Sequence, residues 1–279
     1  MTVIRTPRSQ IRQMRGVLLF VAAFVLLTFF LRIIGLITDW FWFQEVGYTK
    51  IFTITLLAKI KTAALFGMGF FVLFYLNLWL ALRLSGESRF TDSMGPFAVP
   101  LRDIAPGAFK MLILAASVLF GIFAAMSGVD QWENLLLFLN PTPFSVSDPL
   151  FGKDVGFYVF QLPFLLYLYG WFKFVLLVTL AAAAFVYLVR RSFLFIPPRN
   201  WTVTPPARVH LALLAALFFC WGIFGTWLDL NEILFVKRGV VFGPGYTDVT
   251  TQLWVLKAIM GLYGVAGVAA IFFTIRPDW

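Results

Sequence analysis

The chain is short of nearly everything that soluble chemistry is built from. It has a single cysteine, Cys220, in 279 residues, which excludes an intramolecular disulfide and any cysteine-based metal site. It has a single histidine, His210, at the start of an apolar run. That residue reads as a helix-end histidine rather than a ligand. Charged residues make up only 13% against 61% hydrophobic, whereas a soluble domain is roughly a quarter charged. No soluble domain of this length hides so much apolar surface. Acids are missing where an ion relay would need them, because no Asp or Glu stands well inside a long apolar stretch. No nucleotide-binding pattern occurs either. Gly261, Gly264 and Gly267 have glycine spacing but no preceding strand, and on a helix they form a smooth stripe that a neighbour can approach closely. No cofactor or metal is expected. The net charge of +9 lies beside apolar runs rather than in polar sequence, so it reads as membrane orientation and not as a nucleic-acid surface.

What remains is an all-α, polytopic membrane protein. Six stretches, near 16–38, 60–83, 106–127, 163–189, 209–229 and 252–275, reach the ~20 residues that a helix needs to cross a bilayer. The first is too long for a cleaved signal peptide and reads as a retained signal anchor. Thirteen of the 22 basic residues and four of the 13 acids fall on one side of the spans, leaving nine of each on the other. The basic side is cytoplasmic by the positive-inside rule, with both termini inside. The spans form three hairpins within one transmembrane domain, 1–279, and the bilayer is the first partner. A membrane-protein partner or a second copy is the other one expected. The inner loops carry prolines that stop helices and arginines suited to anionic headgroups.

The outer ends share a chemistry. ITDWFWFQEVGY, SGVDQWENLLLF and GTWLDLNEILFV each set tryptophan and two acids at the interface. GYTKIFTITLLAK and GYTDVTTQLWVLK open two of the return helices alike. The outer loop 128–162 starts with DQWENLLLFLN, which places Trp132 and three leucines on one face, as an interfacial helix would. It continues through NPTPFSVSDP, which is turn chemistry, into DPLFGKDVGFYVFQLPF. There Asp148 and Asp154 read as turn caps, Gly152 and Gly156 as turn glycines, FYVFQ as a short strand or an aromatic layer, and Pro163 as the first turn of the fourth span. In the last outer loop, Gly245, Tyr246 and Asp248 repeat the pattern, with Thr247 or Asp248 capping the helix that follows. Glu133, Asp148 and Asp154 are the only acids placed to serve as catalytic groups. Five cations fall at membrane depth: Arg32, Lys59, Lys61, Lys173 and Lys257. Snorkelling suffices for Lys59, Lys61 and Lys257, while Arg32 and Lys173 lie deeper and are the candidates for pairing.

WFQEVGYTKIF, QWENLLLFLNPTPFSVSDPLFGKDVGFYVFQLPF and RGVVFGPGYTDV resemble uncharacterised protein family 0182, large integral membrane proteins of bacteria. The resemblance runs over essentially the whole chain. It implies about seven N-terminal helices followed by a large extracytoplasmic domain, so this sequence is expected to be the N-terminal part of a longer protein. The resemblance carries no activity and no catalytic residues. The first functional expectation is therefore a membrane anchor and assembly module in the bacterial cell membrane. A transporter or channel using Arg32 and Lys173 is the alternative. A membrane enzyme acting on a lipid-linked substrate through Glu133, Asp148 and Asp154 is the third.

Overall fold

The computed structural model describes residues 7–85, 106–190, 192–196, 200–235, 237–238 and 241–275. The elements in order are α1 (Pro7–Glu45), α2 (Thr49–Leu84), α3 (Pro106–Val129), α4 (Trp132–Leu139), α5 (Leu162–Val189), β1 (Phe193–Ile196), β2 (Asn200–Val203), α6 (Pro205–Glu232), β3 (Lys237–Arg238), β4 (Val241–Phe242) and α7 (Leu253–Ile275). Six helical stretches are long and apolar enough to cross a membrane. The protein is an all-α, multi-pass membrane protein. The inner loop 86–105 and residue Arg276 lie outside the described residues, as do Arg5, Arg191 and Arg199.

The chain divides into two compact units, Met1–Ala58 and Lys59–Trp279. In the first, α1 ends in a Schellman turn. The Tyr48 N–H donates to the Phe43 carbonyl and the Gly47 N–H to that of Gln44, with Gly47 at φ 78°. The left-handed backbone suits glycine, and the two bonds satisfy carbonyls that the helix end would otherwise leave open. α2 starts at once at Thr49, eleven residues before the span read from hydropathy, because Thr49, Lys50, Thr53, Lys59 and Lys61 dilute the apolar signal of its first turns. Phe52 fixes the turn by meeting the rings of Trp40 (5.6 Å) and Phe43 (5.5 Å).

In the second unit, α2, α3, α5 and α6 share one core. Phe70, Phe74 and Leu78 of α2 meet Ile113 of α3, Val175, Ala183 and Tyr187 of α5, and Leu214 of α6. Lipid tails are as apolar as leucine, so close packing rather than water exclusion holds such a bundle together. Small residues make that packing possible. A Cβ added at Gly67 of α2 would lie 2.7 Å from the Ala125 Cβ of α3, and one at Gly128 would lie 2.9 Å from Phe66. Phe70 stacks on Phe120 across the same seam, with centroids 5.7 Å apart.

The glycine stripe of α7 does less than its spacing suggests. Gly267 meets Cys220 and Ala216 of α6, Gly264 barely touches Ile223, and Gly261 has nothing within 4 Å. The tight contacts are on the opposite helix, where Gly222 and Gly225 of α6 receive the rings of Tyr263 and Tyr169.

Three local readings change. FYVFQ is not a strand: Phe157–Gln161 is a π-helical turn that leads directly into α5, and Asp248–Gln252 does the same before α7. Single π turns of this kind recur at functional positions. The loop between α5 and α6 contains an antiparallel ribbon, β1–β2, with Phe195 opposite Trp201, closed by the Thr204 N–H donating to the Ser192 carbonyl. A second two-residue ribbon, β3–β4, lies between α6 and α7. In both cases prolines and glycines in the sequence concealed the short β pairing.

Candidate functional site: the 144–158 loop and its clamp on α6

Two ends of the second unit concern function. One carries the loop between α4 and α5, together with the far end of α6. The other carries the loop between α5 and α6, together with the end of α2. They are called here the 150-loop end and the 190-loop end.

At the 150-loop end, α4 forms as an eight-residue helix with Leu135 and Leu136 half-buried and Leu139 exposed. Glu133 is exposed in its first turn, and Trp132 is half-buried. The chain then turns through Ser145 at φ 58° and Gly152 at φ 68° and closes on itself. The Val155 N–H donates to the Val146 carbonyl (2.9 Å) and the Asp148 N–H to that of Lys153 (2.8 Å).

Asp148 is the hub of this loop. Its Oδ1 accepts from the N–H groups of Leu150 (2.8 Å) and Phe151 (2.6 Å). Its Oδ2 accepts from the Lys153 N–H (2.8 Å) and the Tyr158 hydroxyl (2.8 Å). An ionised carboxylate has about four acceptor sites, and all are taken. Burial acts to raise the Asp148 carboxyl. The donors from Phe151, Tyr158, Lys153 and Leu150 overcome it and hold the group below the usual carboxylate value.

Asp154 works as the N-cap of the helix that follows. Its Oδ1 accepts from the Gly156 N–H (2.6 Å) and reaches back to the Phe144 N–H (3.0 Å). These two amides hold its carboxyl below the ordinary range. Gly156 is buried, and a Cβ there would lie 2.6 Å from the Thr142 carbonyl.

The residue between the two aspartates is the one that sequence reasoning passed over. Lys153 crosses from the loop to α6, donating from Nζ to the Asn231 Oδ1 at 2.8 Å. Its ammonium lies 4.1 Å from the centroids of both Phe157 and Trp227, so it is held by two cation–π contacts. Burial lowers its pKa, and the Asp148 charge opposes that. Asn231 is 2% exposed and turns its amide nitrogen to the Trp227 carbonyl (2.6 Å). The only sequence signal for this clamp is the LDLNE end of α6, where an asparagine stands among acids.

The remaining outer motif is simpler. Gly245 acts as the N-cap before α7, and Asp248 reaches back to its N–H (2.8 Å) from the third helical position, which is the second half of a capping box. Asp248 is thus buried inside the turn rather than standing at its cap, while Tyr246 is 85% exposed.

Of the five cations, three sit on aromatic rings. Lys59 lies 5.5 Å from the Trp132 ring, Lys257 lies 5.0 Å from Trp254, and Lys173 lies 5.4 Å from Tyr169. Lys173 is exposed, and its charge reaches Asp229. Lys61 and Arg32 are exposed on α2 and α1. The structure does not bring Glu133 together with Asp148 and Asp154 as an acid group. Among the described residues no cluster of three or more His, Cys, Asp or Glu side chains could hold a metal ion.

At membrane depth near the 190-loop end, His210 is buried, not at a helix surface. Its Nδ1 meets the Tyr187 hydroxyl at 2.8 Å and its Nε2 meets the Asn77 Oδ1 at 3.3 Å. The Asn77 amide nitrogen donates to the Leu73 carbonyl (2.6 Å), so its oxygen faces the ring. Nε2 must then carry a proton and donate to that oxygen, while Nδ1 is paired with the tyrosine hydroxyl. The histidine thereby ties α2, α5 and α6 together. The expected result for His210→Leu is a loss of about 1–2 kcal/mol in detergent unfolding, with Tyr187→Phe costing about half as much and the double variant less than the sum. Strict additivity in that double-mutant cycle would deny the bond.

The chain's relatives match it over only one part of their own length. The model of the Uncharacterised protein family (UPF0182) matches residues 16–279. A UPF0182 protein of Pelobacter propionicus is 34% identical over 244 residues, covering 87% of this chain and 27% of the relative. One from Geobacter sulfurreducens is 32% identical over 269 residues, covering 95% and 30%, and one from Kocuria rhizophila is 34% identical over 267 residues, covering 95% and 26%. The chain thus spans about a quarter to a third of the length of these curated relatives. No solved structure matches it. With the family model covering nearly all of the chain, the protein belongs to the Uncharacterised protein family UPF0182.

Proposed function

We propose that this chain is a membrane anchor and assembly module, seated in the bacterial cell membrane with its 190-loop end cytoplasmic, its spans paired as three hairpins, and an extracytoplasmic domain and partners held at the 150-loop end. The observation that carries the reading is the saturation of Asp148. A carboxylate with all four acceptor sites filled by its own loop is a scaffold, with no lone pair for a substrate proton or a metal. Lys153 then locks that scaffold to α6, giving a fixed surface at one end of the bundle. The length of the relatives supports a role in which this segment serves something larger.

The test uses the full-length protein in its own membrane. Lys153→Met is expected to leave the chain inserted while its native complex on a blue-native gel falls apart. Lys173→Leu and Arg32→Leu should change neither. In a Cys220→Ser background, a cysteine introduced at Ser147 should react with an impermeant maleimide in intact cells, and one introduced at Arg190 only after permeabilisation. The opposite labelling would reverse the proposed orientation. If Lys173→Leu instead abolished an ion flux in proteoliposomes with the complex intact, the transporter reading would replace the anchor.

A further inference from the structure

We propose that a cleft between α2 and α6 at the 190-loop end holds one acyl chain of an anionic phospholipid, whose phosphate is bound by Arg83 and Arg190. The cleft has a volume of about 360 Å³, within the range of small-molecule sites. Leu80 and Leu84 of α2 form one wall, and Pro206, Val209 and Leu213 of α6 form the other. Among the described residues none fills this space: Leu80, Val209 and Leu213 are 38%, 37% and 51% exposed.

The lining excludes a polar occupant. Pro205 and Pro206 open α6 without N–H groups, so its first turn offers the cleft no donor at those positions. The sole polar side chain on the wall is His210, and both of its ring nitrogens are already engaged by Tyr187 and Asn77. What fits here is hydrocarbon.

The mouth has the opposite character. Arg83 stands next to Leu84 and stacks its guanidinium 4.1 Å from the Trp79 ring centroid. A tryptophan marks headgroup depth. Arg190 donates from Nε to the Ser85 hydroxyl at 3.4 Å, which brings a second guanidinium to the end of α2. Both arginines are exposed, and every described Asp and Glu of this unit lies towards the 150-loop end. An apolar slot lined by Leu84, with Arg83 before it in the chain and Arg190 bonded to the next residue, Ser85, matches a molecule with a tail and an anionic head.

The experiment reconstitutes the full chain in nanodiscs of equal phosphatidylglycerol and phosphatidylcholine with identical acyl chains, then counts retained lipid by native mass spectrometry after mild detergent extraction. The wild type should retain one lipid and favour phosphatidylglycerol roughly 25-fold, at about fivefold for each arginine near the surface. Arg83→Gln with Arg190→Gln should still retain one lipid but lose the preference. Leu213→Trp, which fills the slot, should lose the retained lipid whatever its headgroup, and Val209→Phe provides a second filling variant if the first misfolds. Equal retention of the two lipids by the wild type would overturn the proposal. So would undiminished phosphatidylglycerol in both filling variants, which would indicate annular lipid only. Displacement of the lipid by excess inorganic phosphate would reduce the site to an anion site without a tail.

Discussion

Gly225→Ala is expected to destabilise the bundle by about 3 kcal/mol, near the upper end of what overpacking costs. A Cβ at this position would fall within the Tyr169 ring. The ring is flanked on both sides. It stacks with Trp221 and meets Phe224, and the Trp221 indole N–H donates to the Tyr169 carbonyl at 3.1 Å. Its outer face supports the Lys173 ammonium. One methyl group therefore pushes α5 from α6 and strips a cation of its aromatic partner. The measurement is the thermal unfolding midpoint in a fixed detergent, followed by far-ultraviolet circular dichroism. Gly225→Ala combined with Tyr169→Leu should regain most of the loss, because the added carbon then has space. Gly261→Ala is the control: with nothing within 4 Å of it, the change should be neutral or stabilising by up to ~1 kcal/mol through helix propensity. A midpoint for Gly225→Ala equal to that of the wild type would contradict the packing described between α5 and α6.

The second large effect is at Asp148. Asp148→Ala removes the acceptor of three backbone amides and one phenol, and we expect a local cost of about 2–4 kcal/mol, since water can replace some of these bonds in a half-exposed loop. The readout is limited trypsin cleavage after Lys153, a bond protected while the lysine is clamped between Phe157 and Trp227. Cleavage should speed up by two orders of magnitude or more if proteolysis follows the open population. Asp148→Asn should be intermediate. It keeps an acceptor for Leu150 and Phe151 but turns an amide nitrogen toward the Lys153 N–H. The pH dependence has a definite sign. The folded-state values of Asp148 and Asp154 both lie below the ordinary carboxylate value, so their contribution is fully present above the unfolded-state value and is lost as the pH falls through the folded-state values. Protection of the Lys153 bond should therefore hold at neutral pH and fail in strong acid. An acid-stable protease is needed for that arm, and a wild-type loop equally protected at every pH would remove the carboxylates from the account.

These two predictions separate what could be read from residue order from what could not. Twenty-residue apolar runs, scarce charge and tryptophans at span ends fixed the membrane class and six helices, because bilayer thickness and backbone hydrogen bonding leave a long apolar segment no other stable form. The capping role of Asp154 was legible for the same local reason, since a carboxylate two residues before a helical N–H has its partner built into the chain. The α7 glycines looked like a packing stripe by spacing alone, yet the helix surfaces that truly approach each other are at Gly225, Gly222 and Gly67. Spacing gives the face of a helix but not the neighbour that it meets.

The same limit explains the polar groups. His210 stood at the edge of an apolar run and read as a helix-end residue. Only the assembled bundle brings Asn77, 133 positions away, and Tyr187, 23 positions away, to its two nitrogens. Lys153 drew no reading from the sequence, because its partners are Asn231 of α6, 78 positions later, and two ring faces. Composition and periodicity thus determined the membrane class and the six long apolar spans, through the cost of unpaired backbone and charge in lipid. Tertiary structure decided which carboxylates are saturated, which lysine is a clamp and where a lipid-sized cleft remains. Each of these depends on pairs of residues far apart in sequence, and no local preference encodes them.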